Sequence, residues 1–256
     1  MAQIKVGVVG AGGNLGRATC VAVGLDHDLQ LVAAIDRKAV GETRHGIEVT
    51  GDLRSLADAG CDVVVDFTVA EAARVTVPWL AMHGMHAVVG TTGLTDDDVA
   101  AFRSEFSGSN CAIVPNFSIS AVLMMRFAEI AAPYFDSAEI VELHHEGKVD
   151  APSGTAMSTA RRMAAASSEW TPDATQQEIY PGARGAAGPA GIRMHSVRMR
   201  GLVAHQEVIL GTYGQSLTIR QDSYDVTSFM PGVVLACKHI ASHPGVTLGL
   251  DAMLGM

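Results

Sequence analysis

The chain begins with a β-branched run, Ile4-Lys5-Val6-Gly7-Val8-Val9, that stops in Gly10-Ala11-Gly12-Gly13-Asn14-Leu15-Gly16. No other feature constrains the fold as tightly. An apolar strand ending in glycines, followed by a helix expected from Arg17, reads as the first turn of a dinucleotide-binding unit. The glycines let the backbone turn sharply and come close to a pyrophosphate, which the positive end of the helix attracts. The spacing departs from the strict G-x-G-x-x-G fingerprint by one residue: Gly10 and Gly12 are present, but the closing glycine is Gly16, with Leu15 at the usual position.

The next strand supports this reading. Residues 31–35 are apolar and end at Asp36, about 20 residues beyond the glycine loop, where such folds keep the acid that accepts from the adenine ribose hydroxyls. Arg37 follows, and a guanidinium there suits a 2′-phosphate, so NADH and NADPH both stay open. A glycine turn that binds nothing is the competing explanation of the loop.

Strands and helices then alternate. Residues 62–68 read as a buried strand, 71–83 as a helix, 86–89 as a strand ending at Gly90-Thr91-Thr92-Gly93, and 96–106 as a helix with Thr95 as N-cap. Residues 111–114 form another strand, which ends at Pro115-Asn116-Phe117-Ser118. This alternation predicts a parallel sheet with helices on both faces, and ligands then lie beyond the carboxyl ends of the strands. The glycine loop, Asp36, Phe67-Thr68, Gly90-Thr91-Thr92 and Pro115-Asn116-Phe117 all fall on that rim. His83 and His86 have a spacing usable by a metal, but they straddle a helix end with no third ligand nearby. No metal site is expected, and His83 reads as a polar group at a helix C-terminus.

From Ser118 the pattern changes. Residues 121–132 form a mostly apolar helix ending before Pro133, expected to bridge two domains, and 139–143 form a strand. That strand leads into His144-His145-Glu146-Gly147-Lys148-Val149-Asp150-Ala151-Pro152-Ser153-Gly154-Thr155, and a helix over 155–168 carries Arg161 and Arg162 on its outer side. Proton donors, a cation and the positive end of a helix are thereby gathered in one short stretch, the parts needed to hold and protonate a small anion. Residues 169–191, rich in Pro, Gly and Ala, read as a long connection. Residues 192–200, 203–210 and 216–220 are expected as three antiparallel strands that join 139–145 in a mixed open sheet. A helix over 225–240 is expected to return to the first domain.

The fold class is therefore α/β: a Rossmann-like doubly wound parallel sheet with a second α+β domain built on a mixed open sheet. The dinucleotide-binding domain is expected over 1–117, completed by 228–256, and the substrate-binding and oligomerisation domain over 118–227. A formal charge of −9 argues against nucleic acid and anionic membranes as partners, since both favour a basic face. Cys20, Cys61, Cys111 and Cys237 are widely spaced, with no C-x-x-C pair, and read as reduced structural thiols of a cytoplasmic protein. No signal peptide and no membrane-spanning run are expected.

The stretch from His144 to Ala156 resembles the H-H-x-x-K-x-D-A-P-S-G-T-A motif of the dihydrodipicolinate reductase family, also called the 4-hydroxy-tetrahydrodipicolinate reductases, of the diaminopimelate route to lysine. Gly90-Thr91-Thr92-Gly93, Pro115-Asn116-Phe117-Ser118, residues 201–207 (GLVAHQE) and residues 228–232 (SFMPG) are similar to further blocks of that family. The resemblance spans nearly the whole chain. It implies a homotetramer built through the second domain's sheet, and hydride transfer from NADH or NADPH to a small cyclic dicarboxylate imine with loss of water.

By that resemblance His144 and Lys148 are the catalytic proton donors. His145, Gly154 and Thr155 bind the substrate, and the Ser153 hydroxyl at the same helix end suits it. Cofactor contacts map to Gly10, Ala11, Gly12, Gly13, Asn14, Leu15, Asp36, Arg37, Gly90, Thr91, Thr92, Val114, Pro115, Asn116 and Phe117, with Phe67 on the same rim. Two positions depart from the family pattern. Asn14 stands where many members carry a basic residue, which leaves the cofactor preference open. Glu146-Gly147 stands where many carry a non-acidic pair, and an acid there lowers the local positive potential unless it points to solvent. Two other readings fit the same residues: another two-domain nicotinamide oxidoreductase acting on an amino or keto acid, and a protein that senses the nucleotide without turnover.

Overall fold

The computed structural model describes residues 2–256 and divides into two compact units. One runs to Ile119 and resumes at Val226–Met256; the other is Ser120–Asp225.

The first unit is built on an eight-stranded sheet. In chain order its elements are β1 (Ile4–Val9), α1 (Asn14–Leu25), β2 (Leu29–Ile35), β3 (Thr43–Arg44), β4 (Ile47–Thr50), α2 (Arg54–Asp58), β5 (Val63–Asp66), α3 (Ala70–Met82), β6 (His86–Val89), α4 (Asp96–Glu105) and β7 (Cys111–Ile113). The chain leaves through α5 (Ile119–Ala131), which from Ser120 onward belongs to the second unit. The sheet order is β13-β7-β6-β5-β1-β2-β4-β3, with β13 (Val246–Leu248) reached from the C-terminal segment. Every pairing in it is parallel except β3 with β4.

Parallel strands covered on both faces are apolar throughout rather than alternating. Val63–Asp66 is accordingly buried at every position. On one face Ile35, Val64, Ala87 and Val89 pack with Leu56, Val77, Leu80 and Phe102. Truncating a fully buried leucine such as Leu80 to alanine costs roughly 2–5 kcal/mol. The other face is covered by α1 and by α7 (Met230–His239), which contact each other.

Helix α1 starts at Asn14, three residues earlier than Arg17, because Gly13 is already the N-cap. Strands β3, β4 and β13 were not visible in the sequence. Each is two to four residues long, too short for a periodicity to register. At the C-terminal end the expected single helix is a 3-10 turn, Val226–Phe229, followed by α7 with Pro231 in its first turn, where a missing N–H costs nothing.

The second unit has a five-stranded sheet, order β12-β11-β8-β10-β9, from β8 (Ser137–His144), β9 (Ala186–Ala187), β10 (Arg193–Arg198), β11 (Ala204–Thr212) and β12 (Gln215–Ser223). The sheet is mixed, with one correction to the expected pairing. β10 runs parallel to β8, while β11 is antiparallel to both β8 and β12. Helix α6 (Gly154–Ala166) connects β8 toward that parallel neighbour and buries Ala156, Ala160 and Met163, as a parallel crossover requires. Arg161 is exposed on α6, whereas Arg162 is half-buried and lies 3.8 Å from Glu129.

Residues 169–191 contain little regular structure but are tied down. Thr171 N–H donates to Asp136 O at 2.7 Å, Arg184 pairs with Glu139 at 2.7 Å, and Asp173 pairs with Arg193 at 2.7 Å.

Candidate active site

In the first sheet the strand order reverses between β1 and β5, and ligands of such sheets lie at the carboxyl ends of the strands flanking that reversal. Gly10 ends β1 and Phe67-Thr68 ends β5. Gly10 has φ +86°, and a Cβ there would stand 2.6 Å from Phe67 O, so only glycine fits. A Cβ on Gly16 would meet Gly10 O at 2.0 Å, which is why the loop closes onto the helix start with a glycine. The N-cap of α1, Gly13, supplies no side-chain hydrogen bond, so the first turn of the helix presents backbone N–H groups, a fitting place for a pyrophosphate.

Asp36 is half-buried at the end of β2, where its Oδ2 accepts from Gly12 N–H at 2.9 Å and its Oδ1 from Lys38 N–H at 2.8 Å. Arg37 beside it is exposed. A cleft of about 810 Å³ is lined by Gly10, Gly12, Gly13, Asp36, Arg37 and Phe67, among others. Farther along the rim, Phe67 meets Phe117 edge to face with ring centroids 5.4 Å apart, and a Cβ on Gly90 would fall 2.2 Å from the Phe67 ring. Asn14, Thr92 and Pro115 are exposed, and Leu15 and Asn116 are half-buried. Ala11, Thr91 and Val114 are buried, so Ala11 and Val114 have only backbone to offer. These residues fit a pyridine nucleotide: a glycine cradle that a Cβ would fill, an uncapped helix start, and an acid at the ribose position.

Two residues of this rim escaped the sequence reading. Asp66, fully buried, gathers Thr68 N–H at 2.9 Å, Thr68 Oγ1–H at 2.6 Å and Thr91 Oγ1–H at 2.9 Å on its Oδ1. It thereby ties the Phe67-Thr68 turn to the Gly90–Thr92 turn. Burial raises its pKa, against the pull of the threonine hydrogen bonds. An acid closing an apolar strand was its only signal. Arg44 Nε donates to Ala11 O at 3.0 Å and so braces the glycine loop from the short β3–β4 hairpin; nothing in the sequence marked it. His86, weighed above as a metal ligand, instead accepts from Asn110 N–H at 3.0 Å, and His83 stacks on Trp79 at 3.8 Å.

In the second unit, β8 delivers Glu142 and His144 to one face, two residues apart. Glu142 is fully buried and receives Arg198 through both guanidinium arms, at 2.7 Å on Oε1 and 2.9 Å on Oε2. The Oε2 atom also faces His144 Nδ1. Burial by itself would raise the Glu142 carboxyl, but hydrogen bonds from Arg198, Ser196 and His144 outweigh it and hold its pKa below the usual range. Removing one partner of such a buried pair costs roughly 3–5 kcal/mol. Burial lowers the His144 pKa, with Lys148 and Arg198 acting in the same direction and Glu142 against it.

The segment after β8 is less enclosed. His145 is exposed, and its carbonyl accepts from Lys148 N–H at 3.2 Å. Lys148 Nζ pairs with Asp150 at 2.7 Å, and Arg198 also donates to Asp150 O at 2.7 Å. Ser153 is 3% exposed; its Oγ accepts from Ala156 N–H at 3.2 Å and caps α6. The Gly154 and Thr155 N–H groups lie in that same first turn. Glu146 points to solvent and pairs with Arg200 at 2.6 Å. His144, His145, Lys148, Ser153, Gly154 and Thr155 thus form one continuous donor-rich segment ending at a helix N-terminus.

Residues 4–117 match the family description "Dihydrodipicolinate reductase, N-terminus", and residues 120–254 match "Dihydrodipicolinate reductase, C-terminus". The chain is similar to the 4-hydroxy-tetrahydrodipicolinate reductase of Corynebacterium urealyticum, 49% identical over 99% of this chain and 100% of the relative. The same-named protein of Cutibacterium acnes is 47% identical over 99% and 100%. Among solved structures, dipicolinate-bound dihydrodipicolinate reductase from Paenisporosarcina sp. TG-14 superposes with a TM-score of 0.87 at 35% identity, covering 98% of this chain and 99% of that one.

Proposed function

The chain belongs to the dihydrodipicolinate reductase family, and from that premise we infer that it reduces 4-hydroxy-tetrahydrodipicolinate to tetrahydrodipicolinate with loss of water. It is an oxidoreductase of diaminopimelate and lysine biosynthesis that uses a pyridine nucleotide. The observation that carries this reading is the donor segment itself, with His144 and Lys148 at one end and the N-terminus of α6 at the other.

The nucleotide, when bound, supplies the hydride. The glycine loop and the first turn of α1 hold its pyrophosphate, and Asp36 accepts from the adenine ribose hydroxyls. NADH or NADPH serves: Asp36 suits a ribose hydroxyl, and the exposed Arg37 beside it suits a 2′-phosphate. Phe67, Gly90, Thr91, Thr92 and residues 114–117 line the remainder of the nucleotide site.

The substrate is a small cyclic dicarboxylate. His145, the Ser153 hydroxyl and the Gly154 and Thr155 N–H groups bind its carboxylates, where the helix dipole adds positive potential. Reduction of the conjugated imine leaves an enamine, which His144 and Lys148 protonate. A dipicolinate-bound relative supports this choice of ligand class.

The enzyme assembles as a homotetramer through the face of the second sheet opposite α6. By the strand register that face carries Val141, Val197 and Ile209, all half-buried, among charged neighbours. Sedimentation equilibrium reporting a monomer would remove this assembly. Among the described residues no helix is long and apolar enough to cross a membrane. A cytoplasmic location suits the four unpaired thiols.

The test is oxidation of NADH or NADPH, followed by absorbance, with the freshly made aldol product of pyruvate and aspartate semialdehyde. Turnover with at least one nucleotide is expected. No absorbance loss with either would overturn the reading.

A further inference from the structure

We propose that Glu142, clamped by Arg198, is a positioning residue that holds His144 with its proton on Nδ1, so that Nε2 is the atom that delivers a proton to the substrate. The proposal rests on His144 being a proton donor, as read above.

Glu142 is fully buried, and both of its oxygens are taken by the two arms of Arg198. A carboxylate engaged in this way by a guanidinium is ionised and can only accept hydrogen bonds. The hydrogen between Glu142 Oε2 and His144 Nδ1 therefore sits on the nitrogen. That leaves Nε2 as the ring atom available for chemistry. Because β8 is a strand, residues two apart share a face, so the carboxylate reaches the imidazole without any turn.

Arg198 does more than neutralise Glu142. Its guanidinium also donates to Asp150 O at 2.7 Å and to Val197 O at 2.8 Å. One arginine thus secures both the carboxylate behind His144 and the loop that follows Lys148. The charged groups around the ring are Glu142 from its own strand, Arg198 from β10, and Lys148 with its partner Asp150 from the loop.

The Nε2–H bond of the imidazolium breaks and a C–H bond forms at the enamine carbon. The ring keeps its Nδ1 proton, held to Glu142, and Nε2 recovers a proton from water. A ring flipped about its Cβ–Cγ bond would aim the wrong nitrogen at the substrate, and the Glu142 contact is what prevents this.

The experiment is long-range ¹H–¹⁵N correlation NMR on protein labelled at histidine nitrogen, with the His144 signals assigned by their loss in His144→Asn. With pH raised until the ring is neutral, the wild-type proton is expected on Nδ1, the form left once Nε2 has given up its own. In Glu142→Gln that preference should weaken, and kcat should fall at least about 10-fold while KM for the nucleotide stays unchanged. Arg198→Lys, which keeps the charge but not the two-armed grip, should show the same pattern to a smaller degree. The wild-type tautomer does not depend on either variant folding. A wild-type ring protonated on Nε2 alone overturns the proposal, as does folded Glu142→Gln with unchanged tautomer and kcat. Unchanged kcat in His144→Asn overturns the proton-donor reading and the proposal with it, and is distinguishable because it requires no tautomer measurement.

Discussion

The backbone N–H of Gly12 donates to Asp36 Oδ2 at 2.9 Å, tying the glycine loop to the acid at the end of the neighbouring strand. A Cβ on Gly12 would stand 2.7 Å from that same oxygen. Loop and acid are thus one unit, so a substitution at either should disturb the other.

Replacing the acid separates the two nucleotides. Asp36→Ala should raise KM for NADH more than for NADPH, because the variant removes an acceptor suited to a ribose hydroxyl and leaves Arg37, which suits a 2′-phosphate. Steady-state kinetics with both nucleotides check this, and equal effects would mean that Asp36 does not read the ribose.

Lys148 is tested by its loss. Lys148→Ala should lower kcat by about 10²-fold or more, as removal of a general acid does. Circular dichroism should show the chain still folded, since the Lys148 side chain pairs with Asp150, which is more than half exposed. An unchanged kcat would remove Lys148 from the chemistry.

Glu146 is expected to matter little. It and Arg200 form an ion pair in which both side chains are more than half exposed, and such pairs are worth only ~0–1 kcal/mol. Glu146→Gln should therefore change substrate KM by less than about twofold. A large gain in affinity would show that its charge reaches the substrate after all.

All four thiols should be inert in the folded chain. Burial pushes Cys20 up to about 11, and Cys61, Cys111 and Cys237 up to about 12. The thiolate is the reactive form. A thiol reagent near neutral pH should find no reactive cysteine in the native protein and four per chain in denaturant; rapid native labelling of any one would contradict this.

The Arg74–Asp98 pair gives an acid dependence. Arg74, with the Thr95 cap, holds the Asp98 carboxyl below its usual range. A depressed carboxyl contributes stability above its unfolded pKa, and the contribution is lost as pH falls through the folded value. Thermal midpoints of Arg74→Met should fall short of wild type near neutral pH and converge with it in acid. A gap that persists unchanged in acid would assign the effect to packing instead.

Much of the fold was legible. β5 is apolar at every position because both of its faces are covered, and the glycine loop announces itself because only glycine allows the contact of residue 10 with Phe67 O. Thr95 reads as a cap for a local reason: its Oγ1 accepts from Asp98 N–H three residues on. What lay beyond local pattern was missed. β3, β4 and β13 are too short to show a period, and the parallel pairing of β10 with β8 depends on where α6 carries the chain.

The site divides in the same way. Residue types and spacing marked the donor segment from His144 to Thr155, the acid at Asp36 and the rim glycines as candidates, because each stands at a strand or helix end that local pattern reveals. Only the tertiary structure decided which groups stand behind them. Arg198 lies 54 residues from His144 along the chain, and it reaches Glu142 because β10 pairs with β8. Asp66 collects Thr91 for the same reason, since β5 pairs with β6, and Arg44 reaches Ala11 from the hairpin at the sheet's edge. Strand pairing joins residues far apart in sequence, and no local periodicity records which strands will be neighbours.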